Sequence, residues 1–215
     1  MNCSGKKISI LGDSISTFKG ITKDDPNTFY GRVMCEKGGF SGVEDTWWMR
    51  VINAVDGLFE RDNAFAGSCV AEGYGLGRGM SSDERTSALG EPDIILIFGG
   101  ANDYGFGVPA EEFRGAYGTM LARLREKYPG AQIFCGTLIN GNKILPEEPY
   151  FMGEKPGKEL EPFSTVIRDC AALAGAHVVD MAASGLEYDA IDGCHPTAGG
   201  MAQLAELWIR AIREA

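Results

Sequence analysis

Residues 8–14 read Ile8-Ser9-Ile10-Leu11-Gly12-Asp13-Ser14. An apolar, β-branched run ended by a glycine predicts a buried strand that stops at a tight turn. The turn lifts Ser14 to the carboxyl edge of a sheet, where open α/β folds place their ligands. A serine there has chemical meaning only beside a base and an oxyanion site, because a hydroxyl is a poor nucleophile at neutral pH. Three further stretches are placed to supply them. Asn102 follows the apolar run Ile94–Phe98 in Phe98-Gly99-Gly100-Ala101-Asn102-Asp103. Asp192-Gly193-Cys194-His195-Pro196 sets a carboxylate three residues before a histidine. Upstream of Asn102 lies Asn63-Ala64-Phe65-Ala66-Gly67-Ser68, a small-residue turn after Leu58-Phe59.

Outward from that first turn the chain alternates strand and helix patterns. Strands are predicted at 7–11, 58–65, 94–98, 132–136 and 177–180, and helices at 45–54, 109–128, 163–174 and 197–214. The helix at 45–54 opens on an Asp/Thr capping signal and carries Trp48, Val51, Ile52 and Val55 at helical spacing. Pro109-Ala110-Glu111-Glu112 suits a helix start and its dipole, and Pro129-Gly130 a stop. Strands alternating with such helices indicate βαβ units, a parallel sheet and a three-layer α/β/α sandwich. Two Gly/Pro-rich stretches, 19–44 and 139–160, read as long irregular loops around the carboxyl edge.

At these residues the sequence resembles the SGNH (GDSL-type) hydrolase superfamily. The matching blocks are Gly12-Asp13-Ser14, the glycine block at 63–68, Gly-x-Asn-Asp at 100–103 and Asp-x-x-His at 192–195. They occur in the family's order and span nearly the whole chain. The resemblance implies a five-stranded, flavodoxin-like parallel sheet of order 2-1-3-4-5 and a serine esterase of the acetylesterase kind. It also implies an oxyanion hole made of the backbone N–H of Ser14, that of Gly67 and the side-chain amide of Asn102. Counting from Asn63 puts the family's glycine nearer Ser68, whereas counting from Asp62 puts it at Gly67. Either residue can present a backbone N–H.

Each candidate has a structural alternative. His195 is read as the base, with Asp192 orienting its ring; Asp189 is the rival orienter. His177, the second histidine of the chain, opens an apolar strand and reads as structural. Asp13 and Asp103 read as braces of their loops, Ser16 and Thr17 as caps of the following turn. Trp47-Trp48 suggests a sugar-stacking platform, but helical spacing favours core packing. Tyr104, Phe106 and Tyr150 lie on predicted loops that could shape a pocket. The tract Gly73, Gly75, Gly77, Gly79 lacks the Gly-Lys-Ser/Thr of a phosphate loop and reads as a flexible loop. Six scattered cysteines show no Cys-x-x-Cys pair and no zinc spacing, so free thiols are expected. No metal or cofactor is implied.

The 215 residues read as one domain, with 44% hydrophobic and 23% charged residues. A net charge of −10 argues against nucleic-acid and anionic-membrane partners. The start, Met1-Asn2-Cys3-Ser4-Gly5-Lys6-Lys7, leads into a strand without a signal-peptide apolar region, so a cytoplasmic location is expected. The expected activity is hydrolysis, through an acyl-enzyme, of a short-acyl ester such as an O-acetylated carbohydrate. Lipid-type acyl esters, thioesters and acyl transfer to a sugar hydroxyl use the same groups. A non-catalytic binding module is a further class, against which the intact Ser14, Asp192 and His195 set counts.

Overall fold

In the computed structural model, which describes residues 2–22, 27–151 and 160–215, the quoted run forms strand β1, Lys7–Gly12, with five of its six residues buried. A strand covered on both faces cannot alternate polar and apolar positions, which is why this one reads as a near-continuous apolar run. Its one polar interior residue, Ser9, donates its hydroxyl to the Leu89 carbonyl at 2.7 Å. β1 pairs in parallel with β2, Leu58–Ala64, on one side and with β3, Ile94–Phe98, on the other. Beyond β3 comes β4, Gln132–Gly136. The short segments β5, Gly141–Lys143, and β7, Tyr188–Ala190, make a separate two-stranded parallel ladder. Between them in the chain, β6, His177–Val179, completes the main sheet, whose order is β2-β1-β3-β4-β6. With β6 as its fifth strand, the sheet has the flavodoxin-like order that the family resemblance implies.

Seven helices are described: α1 Arg32–Gly38, α2 Trp47–Ala54, α3 Asp83–Ser87, α4 Ala101–Gly105, α5 Ala110–Lys127, α6 Glu161–Leu173 and α7 Ala198–Glu214. α2 packs with α7, and α5 with α6, and these pairs flank the sheet. Thr46 caps α2 by accepting from the Met49 N–H at 3.3 Å, and Thr197 caps α7 by accepting from Gly200 at 3.1 Å. Trp47 stacks on Trp208 with centroids 4.6 Å apart and meets Phe98 edge-on at 5.7 Å. Trp47 and Trp48 are both fully buried, so neither offers a platform to a sugar. Their indole N–H groups donate instead to Ser16, Trp47 to Oγ at 3.3 Å and Trp48 to the carbonyl at 2.9 Å.

The structure departs from the sequence reading in short elements. The stretch 19–44, expected to be irregular, contains α1. Of α1's residues only Gly38 is buried, so the helix writes no apolar period into the sequence. α3 and α4 have five residues each, too few to show a 3.6-residue period. β5 lies within 139–160, and parts of both loop readings, 23–26 and 152–159, lie outside the described residues. β2 and β6 each end one residue before the predicted limit. All six cysteines are free thiols. Among the described residues no helix is long and apolar enough to cross a membrane.

Two helical glycines give opposite expectations. A Cβ at Gly200 would meet the Asp189 carbonyl oxygen, with its carbon 3.0 Å away, and both belong to backbone that cannot step aside. At Gly118 nothing lies within 4 Å. Gly200→Ala should therefore cost ~1–3 kcal/mol through overpacking, while Gly118→Ala should stabilise by ~0.5–1 kcal/mol. Thermal melts of the two variants should move in opposite directions.

Candidate active site

β1 ends at Gly12, where a Cβ would stand 2.5 Å from Ser16 Oγ, so the turn tolerates only glycine. Asp13 Oδ1 then accepts from the Ile15 N–H at 3.0 Å and caps a single 3-10 turn, Ser14–Ser16. Ser16 and Thr17 are not the caps expected: they close the turn at its far end. Thr17 Oγ1 donates to the Ser14 carbonyl at 2.8 Å, and Ser16 Oγ receives Trp47. The turn leaves Ser14 5% exposed with its hydroxyl facing the loop before α7.

There, His195 Nε2 lies 2.8 Å from Ser14 Oγ, and His195 Nδ1 lies 2.8 Å from Asp192 Oδ2. The three-residue spacing lets one carboxylate hold ring and backbone together. Asp192 Oδ1 accepts the N–H groups of Cys194 at 3.1 Å and His195 at 2.8 Å. Burial pushes the Asp192 carboxyl up, but the hydrogen bonds and charge of His195 outweigh it and hold the group below the usual carboxylate range. Asp189, the rival, sits in β7, where its carbonyl accepts the Thr197 N–H at 2.9 Å. His177 lies at the sheet edge, Nε2 on Gln132 Oε1 at 3.0 Å and its ring stacked on Phe134.

The loop carrying His195 is fixed from several sides. Gly141 N–H donates to the Gly193 carbonyl at 3.1 Å, Tyr188 OH to that of Cys194 at 2.5 Å, and Tyr30 OH to that of Pro196 at 2.9 Å. Phe29 stacks on the imidazole and Phe151 stands perpendicular to it, 4.8 Å between centroids. Cys194, next in sequence, lines the cleft beside the site.

Across the Ser14 turn, Asn102 occupies the first turn of α4, after Gly100 at φ 125°. Its side-chain amide donates to the Ser68 carbonyl at 2.9 Å. Gly67 has φ 79°. The Ser68 N–H is engaged by the Phe65 carbonyl at 3.1 Å. Asp103 accepts the N–H groups of Val70 and Ala71 at 2.8 and 3.0 Å, bracing the glycine block against α4. The tract 73–79, expected to be a flexible loop, is tied to the glycine block at two points. Gly75 bridges Ser68, and Leu76 N–H donates to the Gly67 carbonyl at 2.8 Å.

Arg85, buried in α3, went unnoticed in the sequence. Its Nη1 donates to Ser68 Oγ at 2.9 Å and to the Arg78 carbonyl at 3.1 Å. Its Nη2 donates to the carbonyls of Gly12 at 2.9 Å and Asn63 at 2.8 Å. One guanidinium thus joins the ends of β1 and β2 to the glycine block. Only the cap Ser82, which accepts from Arg85 N–H, marks the helix in the sequence; an isolated arginine announces nothing about burial.

Beside Asp13 and Asp192 opens a small cleft, lined among others by Ile15, Phe98, Leu138, Tyr150 and Tyr188. Of the three aromatics expected to shape a pocket, Tyr150 alone lines it. Tyr104 lies in α4 against Phe163, and Phe106 caps that helix and faces solvent. Burial pushes Asp13 up to about 7, with the charge of Asp103 adding to the effect, and pushes Asp103 up to about 6. Asp62, buried under Thr22, is likewise pushed up to about 7. Among the described residues no group of three or more His, Cys, Asp or Glu is placed to hold a metal. A hydroxyl in line with an imidazole and a carboxylate can carry out acyl transfer.

The family profile described as GDSL-like lipase/acylhydrolase matches residues 6–147. The crystal structure of a proposed GDSL-like lipase from Bacteroides uniformis is 28% identical with a TM-score of 0.75, over 98% of this chain and 97% of that one. One from Bacteroides ovatus is 25% identical with a TM-score of 0.74, over 99% and 100%. A carbohydrate acetylesterase from Sinorhizobium meliloti shares the fold at 15% identity and a TM-score of 0.70, over 97% and 99%. No curated protein matches the chain in sequence.

Arg85→Met should remove the shared donor and leave buried acceptors unbonded, costing on the order of 3 kcal/mol. Arg85→Lys should restore little, because one ammonium cannot span acceptors on three segments. Denaturant titration of both variants measures this. Asp62 gives a pH signature. Its folded pKa of about 7 lies above the unfolded value, which is ~3.9. Its contribution is thus most favourable below the unfolded value and is lost as pH rises toward the folded one. Asp62→Asn should gain stability relative to the parent between pH 4 and pH 7; a constant difference would contradict the shift.

Proposed function

The chain belongs to the GDSL-like lipase/acylhydrolase family and is a hydrolase of ester bonds; on that premise we propose that Ser14 is its nucleophile, His195 its general base and Asp192 the carboxylate that orients the base. The observation that carries this reading is the unbroken line Ser14 Oγ–His195–Asp192, with 2.8 Å at each link. Ser14 Oγ attacks the ester carbonyl carbon while its proton passes to His195 Nε2. Asp192, accepting from Nδ1, fixes the tautomer and stabilises the imidazolium. His195 then gives the proton to the leaving alcohol, and water repeats the cycle on the acyl-serine.

The oxyanion is received by the N–H groups of Ser14 and Gly67 and by the Asn102 amide. Asn102 gives one amide hydrogen to the Ser68 carbonyl, which orients the second. Gly67 is preferred to Ser68 because the Ser68 N–H already has the Phe65 carbonyl. We assign the substrate as a short-acyl ester of a polar alcohol, such as an O-acetylated carbohydrate. The adjoining cleft supports this with aromatic walls at Tyr150, Phe151 and Tyr188 and with the polar side chain of Asn140. Sugars need such a mixture: ring faces for their C–H surfaces and oxygens for their hydroxyls. The fold shared with a carbohydrate acetylesterase is in keeping with it.

Ser14→Ala should keep the fold, abolish esterase activity and lose labelling by an organophosphonate; labelling that survives would assign the nucleophile elsewhere. Asn102→Ala should lower kcat by roughly 10²–10³-fold with little change in KM. On p-nitrophenyl esters from acetate to dodecanoate, kcat/KM should be greatest for acetate, with acetyl release from acetylated xylan. A maximum at long chains would select the lipid-type reading, and no turnover on any ester would select a binding module.

A further inference from the structure

The Phe29 ring lies face to face on the His195 imidazole, with centroids 3.5 Å apart and planes 8° from parallel. That distance is bare van der Waals contact, so the rings overlap with almost no lateral offset. Uncharged aromatic pairs avoid this arrangement in favour of offset or edge-on contacts with centroids ~4.5–7 Å apart, because their faces carry like partial charge. The same geometry becomes attractive when one ring is a cation, since a π face draws positive charge within ~6 Å of its centroid. His195 is fully buried, so water screens the attraction little. The stack therefore suits imidazolium better than imidazole.

We propose that Phe29 is a positioning residue for ester cleavage, its ring face stabilising the imidazolium that His195 becomes in the transition state. The inference rests on the reading of His195 as the general base. As the bond from Oγ to the carbonyl carbon forms, the O–H bond breaks and its proton moves to Nε2, putting a positive charge beneath the phenyl face. The charge is discharged when the same proton passes to the leaving alcohol. An interaction stronger in the transition state than in the ground state raises kcat rather than binding.

The stack also matters in the acyl-enzyme. With the acyl group on Oγ, the Ser14 hydroxyl no longer holds Nε2, and the ring is held by Asp192 and its aromatic neighbours. The segment bearing Phe29 is keyed to both halves of the site. Phe29 N–H donates to Thr17 Oγ1 at 2.9 Å, which donates to the Ser14 carbonyl at 2.8 Å. Its neighbour Tyr30 donates to the carbonyl of Pro196 at 2.9 Å. Phe29 thus keeps its place over the imidazole whether or not Oγ is acylated.

The test replaces Phe29 with 4-fluoro-, 3,5-difluoro- and pentafluorophenylalanine, which keep the ring and drain negative charge from its face. With p-nitrophenyl acetate, kcat should fall stepwise to roughly 5- to 30-fold below the parent, with KM changed less than twofold. Phe29→Leu, which fills the site without a π face, should fall by a similar factor in kcat. If Leu impairs folding, the fluorinated set decides alone. A kcat that stays flat across the series, or a loss confined to KM, overturns the proposal. His195→Ala is measured beside them. If it is inactive while the series is flat, the Phe29 inference fails alone; if it retains activity, the base assignment fails and the inference with it.

Discussion

Ser14 and His195 lie 181 positions apart in sequence and 2.8 Å apart in space. That one hydrogen bond requires the end of β1 and the loop before α7 to agree to within a few tenths of an ångström. Much of the structure enforces the agreement. Trp47 and Trp48 hold Ser16 from below, and Arg85 holds the Gly12 carbonyl. Tyr30 and Tyr188 hold the carbonyls on either side of His195, and the β5–β7 ladder adds Gly141 on Gly193. The strand supplies the direction, and the surrounding polar contacts supply the register.

The charge around the site follows from the same burial. Asp13 and Asp103 both stand near the proposed oxyanion donors, and both resist ionisation because water is excluded from them. A fully ionised pair there would oppose the negative charge of the tetrahedral intermediate. Asp192 is different: it is held ionised by the imidazole and two backbone N–H groups. Carboxyls that neighbour one another around the site are thus shifted in opposite directions by their contacts.

What could be read from the sequence was whatever writes a local pattern. β1, β3 and β4 are largely apolar runs, whereas β2 reads Leu-Phe-Glu-Arg-Asp-Asn-Ala and is apolar only at its ends; the long helices α5, α6 and α7 carry apolar faces, in α5 Phe113, Tyr117, Met120, Leu121 and Leu124. Ser14, Asn102, Asp192 and His195 were legible because each stands beside a strand end or a glycine with a partner type at fixed spacing. Arg85, Phe29 and Phe151 were not. Each touches the site through tertiary contact, to Gly12 or to His195, and no short-range spacing encodes such a contact. The β5–β7 ladder was missed because three-residue strands carry no alternation to detect.

The burial of the tryptophans has an optical consequence. The chain has three, Trp47, Trp48 and Trp208, and all are fully buried. Two of them donate to Ser16, two residues from Ser14, and the third stacks on Trp47. Tryptophan fluorescence from this protein therefore originates in the packing beneath the Ser14 turn, with none from the surface. The molecule carries its own gauge of whether that turn is in place.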